Sequence, residues 1–316
     1  MKIVFLDALT LGEDIDLTSF EELGEVVIYP TSTEEQILQR TRDCDVVITN
    51  KFKLNGETLA GAEKLKLICV TATGYDNIDI DFARQRGIGV CNVVGYSTDN
   101  VAQITIGFAL DLINRTTEYR RGVASGEYSR RGVANILTPT YHEISGKTWG
   151  IVGLGNIGKR VAAVAQALGC KVLVNKRSPI DGYECVDIDT ICRESDIISI
   201  HTPLNDGTRN LIDASAVSKM KDGAILINVA RGAVTDEVAV ADAIKSGKLG
   251  GFACDVYSRE PFGEEHPFYA IKDMDNVILT PHMAWGSYEA RVRLCNEVKK
   301  NVIAFFEDVI RNRVDL

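Results

Sequence analysis

The strongest indication of the fold is the stretch Thr148-Trp149-Gly150-Ile151-Val152-Gly153-Leu154-Gly155-Asn156-Ile157-Gly158-Lys159. A short apolar run leads into a Gly-x-Gly-x-x-Gly loop, and a segment of helical composition follows the loop. In such a strand–turn–helix, Gly153 permits the tight turn, Gly155 admits a pyrophosphate near the backbone, and Gly158 allows close helix packing. The free N–H groups at the start of the helix favour phosphate. The stretch therefore predicts a dinucleotide site, the alternative being a turn that serves packing only.

Composition and charge restrict the class of protein. The chain has 316 residues, a length that suits two domains. Hydrophobic residues make up 45% and charged residues 25%, as in globular proteins with a large core. The formal net charge of -9 argues against a nucleic-acid or membrane surface. No apolar run is as long as a membrane span and the first residues lack a signal-peptide pattern, so we expect a cytoplasmic protein.

The eight cysteines are scattered and never form a Cys-x-x-Cys pair. Most lie in apolar runs, where free cysteine behaves as a small core residue. Only four histidines are present, which weakens a metal-binding interpretation further. We therefore expect reduced thiols and no metal site.

The first part of the chain alternates short apolar runs with helical segments. Strands are predicted at Lys2–Leu6, Glu25–Tyr29, Asp45–Thr49, Leu65–Thr71 and Ile88–Asn92. Helices are predicted from a capping box at Ser32–Glu35 to near Arg42, at Asn55–Lys64 and at Asp79–Gln85. This alternation indicates a parallel sheet with crossover helices.

A long helix is predicted over Val101–Arg121, and a polar, irregular segment follows over residues 122–143. The helix is apolar on several faces, so it should be more buried than a surface helix. We interpret it as a link between domains and as a subunit interface, which predicts a homodimer.

A second alternating series follows residue 144. Its predicted strands are Thr148–Val152, Lys171–Val174, Asp196–His201, Ala224–Val229, Gly251–Val256 and Val277–Leu279. Its predicted helices are the one after the glycine loop, Asp189–Arg193, Ala214–Met220 and Asp236–Ser246. A last amphipathic helix is predicted from Tyr288 to about Arg311.

These elements predict an α/β fold with two Rossmann-like domains. A doubly wound dinucleotide-binding domain, residues 98–285, is inserted into a smaller flavodoxin-like substrate-binding domain, residues 1–97 and 286–316. A cleft between the two domains would be a usual place for a ligand site and for hinge closure.

Three short motifs follow predicted strands, where ligands of open α/β sheets bind. They are Asn228–Gly232, Asp255–Pro261 and Thr280–Ala284. Singly, Arg231 suits a structural ion pair, Glu260 a solvated loop acid and His282 a core histidine. Jointly, they can hold a carboxylate, fix a ring and exchange a proton with a substrate oxygen. Beside a dinucleotide, that set is what hydride transfer to a 2-keto acid requires.

With these motifs the chain resembles the D-isomer-specific 2-hydroxyacid dehydrogenase family over nearly its whole length. The resemblance implies that Arg231 binds and polarises the substrate, that Glu260 pairs with His282, and that His282 is the acid/base. It also implies that the loop with Ala72, Thr73 and Gly74 binds the substrate carboxylate through backbone amides. The implied cofactor-binding residues are Thr98, Val101, Gly153, Leu154, Gly155, Asn156, Ile157, Gly158, Thr202, Pro203, Thr208, Val229, Ala230, Asp255 and His282. Among these, Asp255 would hold the nicotinamide carboxamide, and the loop with Thr202 and Thr208 would lie under the adenosine.

Trp285 follows His282 as in the glycerate dehydrogenase (hydroxypyruvate reductase) branch of that family. An indole there can pack against a small polar substrate or anchor a hinge. The resemblance implies hydroxypyruvate or glyoxylate as substrate. The alternatives are pyruvate or a bulkier 2-keto acid, or a dinucleotide-sensing protein similar to the corepressors that share this fold.

The position eighteen residues after Gly158 departs from the NAD pattern of the family. NAD-type members carry there a carboxylate for the adenine ribose, whereas this chain has Lys176, followed by Arg177 and Ser178. Cationic and hydroxyl groups attract a 2′-phosphate that a carboxylate would repel. We therefore predict an NAD(P) cofactor with NADP(H) favoured over NAD(H). The alternative is an exposed basic turn in an enzyme that uses NADH.

Overall fold

The computed structural model describes residues 1–176, 178 and 180–316. The chain divides into two compact units. Unit 1 comprises Met1–Ser97 and Gly286–Leu316, and unit 2 comprises Thr98–Trp285. Each unit contains one parallel sheet.

The strands of unit 1 are β1 (Lys2–Phe5), β2 (Glu25–Ile28), β3 (Val46–Thr49), β4 (Leu67–Val70) and β5 (Gly89–Cys91). Those of unit 2 are β6 (Thr148–Val152), β7 (Lys171–Asn175), β8 (Glu184–Cys185), β9 (Ile197–Ile200), β10 (Ala224–Asn228), β11 (Leu249–Cys254) and β12 (Val277–Leu279). The short strand β8 was not predicted from the sequence.

The helices in chain order are α1 (Glu34–Arg40), α2 (Ile80–Gln85), α3 (Thr98–Asn114), α4 (Thr116–Ala124), α5 (Glu127–Arg131), α6 (Asn156–Ala167), α7 (Ile188–Glu194), α8 (Ala214–Lys219), α9 (Glu237–Lys245) and α10 (Tyr288–Phe306). Short 3-10 helices lie at Ala8–Leu11, Thr18–Leu23, Gly232–Val234 and Pro267–Ala270. Every described helix is too short or too polar to cross a lipid bilayer.

The sheet of unit 1 has the strand order β2-β1-β3-β4-β5, the flavodoxin-like order. All its neighbouring strands are parallel. The central strands β3 and β4 are buried throughout, as parallel strands covered on both faces should be. The apolar side of α10 packs on β4 and β5, with Leu294, Val298 and Val302 buried.

Two helix predictions in unit 1 differ from the structure. Residues 55–64 form turns instead of a helix, because the Asn55 side chain accepts the N–H groups of Glu57 and Thr58 and competes with helical pairing. The capping box before α1 uses Thr33 and Gln36, one residue later than predicted, since the Ser32 hydroxyl donates to the carbonyl of Leu6.

The last helix, α10, also ends earlier than predicted. It stops at Phe306 instead of near Arg311. Asp308 adopts a left-handed φ of 58°, and the N–H of Val309 reaches back to the carbonyl of Ala304. These are the features of a Schellman-type helix end, which the apolar periodicity alone did not indicate.

The sheet of unit 2 has the order β12-β11-β10-β9-β6-β7-β8, and all its neighbouring strands are parallel. The order reverses at β6, which lies between β9 and β7. This is the doubly wound arrangement, in which ligands bind where the strand order reverses. The two-sheet α/β fold predicted from the sequence is therefore confirmed.

The helix predicted over Val101–Arg121 is in fact two helices, α3 and α4. Arg115 between them has a left-handed φ of 53°. The Asp111 carboxylate accepts the N–H and the hydroxyl of Thr117, so it satisfies donors at the start of α4 rather than continuing one helix. The following segment, predicted as irregular, contains the short helix α5.

Candidate active site

The glycine loop joins β6 to α6 where the sheet order of unit 2 reverses. Gly153 has a φ of +93°, and a Cβ there would lie 2.8 Å from the N atom of Thr202. A Cβ on Gly158 would lie 2.2 Å from the Gly153 carbonyl oxygen, so both positions exclude a side chain. The Cβ position of Gly155, in contrast, meets nothing within 4 Å. The loop therefore has open space against its backbone, as a bound pyrophosphate requires.

Helix α6 starts directly after this opening, at Asn156. Its N-cap residue is Gly155, which has no side chain to occupy the first backbone N–H groups. The early N–H groups of Asn156 and Ile157 lie at the positive end of a 12-residue helix. Gly155 and Asn156 are exposed, so this end of the helix is accessible to a phosphate group.

The segment after β7 lies beside the glycine loop, because the N–H of Gly153 donates to the carbonyl of Asn175 at 3.0 Å. The next residue, Lys176, is exposed, and so is Ser178. Arg177, which was also predicted to bind the cofactor, lies outside the described residues. An exposed ammonium group next to the phosphate loop can attract a further anionic group.

The loop after β9 lies against the other side of the glycine loop. The hydroxyl of Thr208 donates to the Pro203 carbonyl at 2.7 Å and accepts the N–H of Asn205 at 2.8 Å. Thr208 is buried, so its side chain shapes the loop, whereas Thr202 contributes the backbone that faces Gly153.

His201, at the start of this loop, takes part in a row of buried hydrogen bonds. The indole N–H of Trp149 donates to the Ser199 hydroxyl at 2.9 Å, and His201 Nε2 lies 2.9 Å from the same oxygen. The other ring nitrogen, Nδ1, is buried and has no hydrogen-bond partner among the described residues. Burial lowers the pKa of His201 to about 3. The His201 ring is therefore neutral near pH 7, so it is not an imidazolium that could protonate a substrate.

His282 and Glu260 form a close pair. His282 Nδ1 lies 2.7 Å from Glu260 Oε2, and Glu260 Oε1 accepts the N–H of Tyr257 at 3.1 Å. The two side chains are 25% and 28% exposed, so a ligand can reach them. His282 has a left-handed φ of 53°, a conformation that costs an L-residue about 1 kcal/mol and recurs at functional sites.

Asp255 holds the segment that carries His282. Its Oδ1 accepts the Thr280 hydroxyl at 2.5 Å and the N–H of Met283 at 2.8 Å. Its Oδ2 accepts the N–H of Ala284 at 2.9 Å. Burial raises the pKa of Asp255, while these hydrogen bonds oppose that increase. The side chain thus determines the backbone path on both sides of His282.

Two further residues of this site were not found from the sequence. The buried Asn100 donates from Nδ2 to the Ala284 carbonyl at 2.6 Å, and the Tyr257 hydroxyl donates to the Thr280 carbonyl at 2.8 Å. A polar side chain in the first turn of an otherwise apolar helix was a signal for Asn100. Nothing in the local sequence distinguished Tyr257 from an ordinary core aromatic residue.

Arg231 follows β10 in a turn fixed by Asn228. The Asn228 side chain accepts the N–H of Ala230 and donates to the Arg231 carbonyl, both at 3.0 Å. A Cβ on Gly232 would lie 2.0 Å from the carbonyl carbon of Tyr257, so the two backbones touch. The structure therefore brings the segment with Val229, Ala230 and Arg231 against the segment that carries Glu260.

The predicted carboxylate loop, Ala72, Thr73 and Gly74, follows β4 in unit 1. The N–H of Val93 donates to the Ala72 carbonyl at 3.0 Å, and the Thr73 hydroxyl donates to the Val93 carbonyl at 2.8 Å. The loop is thus tied to the segment after β5. Of the remaining predicted residues, Thr98 begins α3 and Trp285 ends unit 2, and both are half-buried.

The doubly wound sheet and the open glycine loop define unit 2 as a dinucleotide-binding α/β structure of the dehydrogenase type. Residues 106–284 match the family profile described as D-isomer specific 2-hydroxyacid dehydrogenase, NAD binding domain. A glycerate dehydrogenase of Methylorubrum extorquens is 36% identical and covers 99% of this chain and 99% of its own.

Two solved structures are similar along the whole chain. One is D-lactate dehydrogenase from Aquifex aeolicus with NAD and lactic acid, 28% identical, with a TM-score of 0.86 over 99% of each chain. The other is an acyclic imino acid reductase with NADPH and D-Arg, 29% identical, with a TM-score of 0.86 over 99% of this chain and 100% of that one. The chain belongs to the D-isomer specific 2-hydroxyacid dehydrogenase family. It is an oxidoreductase that acts on 2-hydroxy acids with a nicotinamide cofactor, which confirms the class of activity predicted from the sequence.

Proposed function

We propose that this enzyme mainly reduces a small 2-keto acid, hydroxypyruvate or glyoxylate, to the corresponding 2-hydroxy acid. The observation that carries the proposal is the 2.7 Å contact between His282 and Glu260 in a segment fixed by Asp255. The similarity to a glycerate dehydrogenase supports the substrate, because hydroxypyruvate is the oxidised form of glycerate. Trp285, which follows His282, is proposed to pack against this small substrate.

The proton is proposed to come from His282. Because Nδ1 faces Glu260, Nε2 is the ring nitrogen that donates to the carbonyl oxygen. The Glu260 carboxylate balances the positive charge of the imidazolium and keeps the ring oriented. The bound nicotinamide, when reduced, supplies the hydride for the carbonyl carbon.

The substrate carboxylate is proposed to bind to Arg231 and to the backbone amides of the Ala72–Gly74 loop. A guanidinium group can accept a carboxylate in a bidentate geometry, and from there its charge also polarises the neighbouring carbonyl. With this assignment, residues 1–97 and 286–316 form the substrate-binding domain and residues 98–285 the dinucleotide-binding domain.

The cofactor is proposed to bind along unit 2. Gly153, Gly155, Asn156, Ile157 and Gly158 hold the pyrophosphate, and the loop with Thr202, Pro203 and Thr208 lies under the adenosine. Thr98, Val229, Ala230, Asp255 and His282 surround the nicotinamide end. Asp255 already accepts three hydrogen bonds from the segment that carries His282, so it also serves as a scaffold for that segment.

The removal of the proton donor tests this function. His282→Gln should lower kcat for hydroxypyruvate reduction by roughly 10²- to 10⁴-fold, since no other acid is proposed for that step. Glu194→Gln, at an exposed residue of the same unit, is the control and should keep normal turnover. Near-normal turnover of His282→Gln at neutral pH would contradict the assignment. A cofactor sensor without enzymatic function would bind NAD(P)H but would not oxidise it with either keto acid.

NADP(H) is proposed as the preferred cofactor because the exposed Lys176 directly follows Asn175, whose carbonyl accepts the N–H of Gly153, and because Ser178 is exposed as well. Lys176→Asp should lower the NADPH/NADH ratio of kcat/KM by at least about 10-fold, since a carboxylate repels a 2′-phosphate. Lys171→Asp makes the same charge change at the other end of β7 and should leave that ratio unchanged. A strong NADH preference of the unaltered enzyme would contradict the proposal.

A homodimer is proposed through α3 and residues 122–143. In the latter segment Val123, Val133, Leu137 and Tyr141 are each at least half exposed, and Leu137 is 71% exposed. Such a concentration of exposed apolar side chains indicates a partner surface. Sedimentation should give a dimer mass that Leu137→Asp reduces, whereas a monomer mass at all concentrations would contradict the proposal.

A further inference from the structure

Three asparagines of unit 1 form a hydrogen-bonded ring. Asn301 Nδ2, on α10, donates to the Asn92 carbonyl at 2.9 Å, and Asn312 Nδ2 donates to Asn301 Oδ1 at 2.9 Å. The N–H of Asn92 donates to the Asn312 carbonyl at 3.2 Å and closes the ring. From this ring the side chain of Asn92 reaches out and donates to the Thr73 carbonyl at 2.7 Å. The ring therefore connects the C-terminal part of the chain to the Ala72–Gly74 loop.

The amide side chain of Asn301 is buried in a helix, where it lowers the stability of the fold unless its hydrogen bonds offset that cost. It is 1% exposed and lies on the apolar side of α10, next to the fully buried Val302. Asparagine has lower helix propensity than leucine, and burying its amide costs free energy unless the amide is hydrogen-bonded. Packing alone would favour an apolar side chain here.

The far end of the ring is also anchored. Asn312 has a left-handed φ of 50°, and the chain after it pairs with β5. The N–H of Val314 donates to the Val90 carbonyl at 2.9 Å, and the N–H of Val90 donates to the Asp315 carboxylate at 2.8 Å. The Asn312 carbonyl that receives Asn92 is thus held by a fixed segment.

The bonds to the loop determine the direction of its N–H groups. A peptide unit is planar and trans, so fixing the carbonyl of one residue fixes the N–H of the next. The Ala72 carbonyl is held by Val93 and the Thr73 carbonyl by Asn92. These two bonds consequently set the directions of the N–H groups of Thr73 and Gly74.

We propose that Asn301 is a positioning residue for substrate binding: through Asn92 it orients the Gly74 N–H that receives the substrate carboxylate. The inference rests on the proposed role of the Ala72–Gly74 loop. Without Asn301, the backbone of Asn92 loses one of its two anchors and the Thr73–Gly74 peptide can rotate. Carboxylate binding then weakens equally in the ground state and the transition state, which raises KM and leaves kcat nearly unchanged.

Two variants on α10 test the proposal. Asn301→Leu keeps the branched outline of the side chain and removes both of its hydrogen bonds, whereas Val302→Ala removes packing at the adjacent buried position and no hydrogen bond. For Asn301→Leu we expect KM for hydroxypyruvate to rise roughly 5- to 30-fold, with kcat and KM for NADPH within about twofold of the original. Val302→Ala should leave all three constants nearly unchanged.

Amide hydrogen exchange of the peptide containing Thr73 and Gly74 separates this proposal from the proposed function. Faster exchange in Asn301→Leu than in Val302→Ala, together with the rise in KM, supports the proposal. Equal exchange in the two variants overturns it, whatever the enzyme reduces. Faster exchange with an unchanged KM also overturns it, because the loop is then ordered by Asn301 but does not hold the carboxylate.

A milder variant covers the case in which Asn301→Leu does not fold. Asn312→Gly keeps the left-handed backbone and the carbonyl bond to Asn92, and removes only the donor to Asn301. It should give a smaller rise in KM of the same kind, roughly 2- to 5-fold. An unchanged KM and unchanged exchange in Asn312→Gly overturn the proposal as well.

Discussion

Glu260 and His282 follow different strands, β11 and β12, yet their side chains meet at 2.7 Å. Each partner is fixed independently of the other. The second carboxylate oxygen of Glu260 accepts the N–H of Tyr257, and the backbone after His282 is bound to Asp255. The pair is therefore held in one geometry before a ligand arrives, which avoids the cost of reorganising it during a reaction.

Glu260→Gln should preserve much of this geometry and remove the charge. The amide can still accept a hydrogen bond, but it no longer stabilises a positive imidazole ring. We expect kcat of keto-acid reduction to fall at least about 10-fold, because the neutral amide no longer balances the positive charge of the ring. Steady-state rates at neutral pH measure the effect. Glu264→Gln, at an exposed residue of the same loop, is the control, and an unchanged kcat of Glu260→Gln would refute the electrostatic role.

Asp255→Asn should reduce activity more than stability. The amide has one oxygen in place of two acceptors, so it cannot receive Thr280, Met283 and Ala284 in the original arrangement. Burial already opposes the charged form of Asp255, as its raised pKa indicates, so part of the loss is offset when the charge is removed. We expect a fall in kcat of at least about 10-fold and a loss of only about 1 kcal/mol in the free energy of unfolding.

Urea denaturation and turnover measured on the same preparation check the difference. The exposed Asp222→Asn is the matched control and should change neither quantity. If the loss of activity of Asp255→Asn were fully explained by a larger unfolded fraction in urea denaturation, the residue would be a structural support only.

The thiols offer a prediction that does not depend on the enzymatic function. All eight cysteines are free, and only Cys185 is not buried. Burial raises the pKa of Cys44 to about 12 and those of Cys192 and Cys295 to about 11. Because the thiolate is the reactive form, we expect about one thiol per folded chain to react rapidly with Ellman's reagent at pH 8. In denaturant all eight should react, and Cys185→Ser should abolish the rapid phase. Several rapidly reacting thiols in that variant would contradict the burial pattern.

The sequence was most informative where a local pattern of residues is compatible with a single backbone conformation. The glycine loop specified β6, the turn and α6, because no other residue type fits the backbone approaches at Gly153 and Gly158. The fold class and the enzyme family followed from it and from the motifs that contain Arg231, Glu260 and His282. The errors lie where a side chain competes with regular backbone pairing. Asn55 replaced a predicted helix by turns, and Asp111 divided another into α3 and α4.

The supporting contacts of the site were beyond the reach of sequence analysis. Asn100 reaches the Ala284 carbonyl 184 positions away, and Asn301 reaches Asn92 across 209 positions. Neither residue lies in a recognisable motif, and a buried asparagine in a helix can equally face a neighbouring backbone or a turn of its own. Only the three-dimensional arrangement shows that each one fixes a segment with a predicted functional residue.

His201 should give the stability of the protein a specific dependence on pH. Its pKa is lowered by burial from 6.5 to about 3, so the folded chain keeps the ring neutral while the unfolded chain protonates it. The unfolded state therefore binds more protons between these values, and stability is lost as the pH falls below about 6.5. From pH 7 to pH 5 this one group should cost about 2 kcal/mol of the free energy of unfolding. His201→Gln should lose correspondingly less stability over the same interval. Urea denaturation at the two pH values measures the difference, and equal losses for His201→Gln and the unaltered chain would show that the folded protein tolerates the imidazolium.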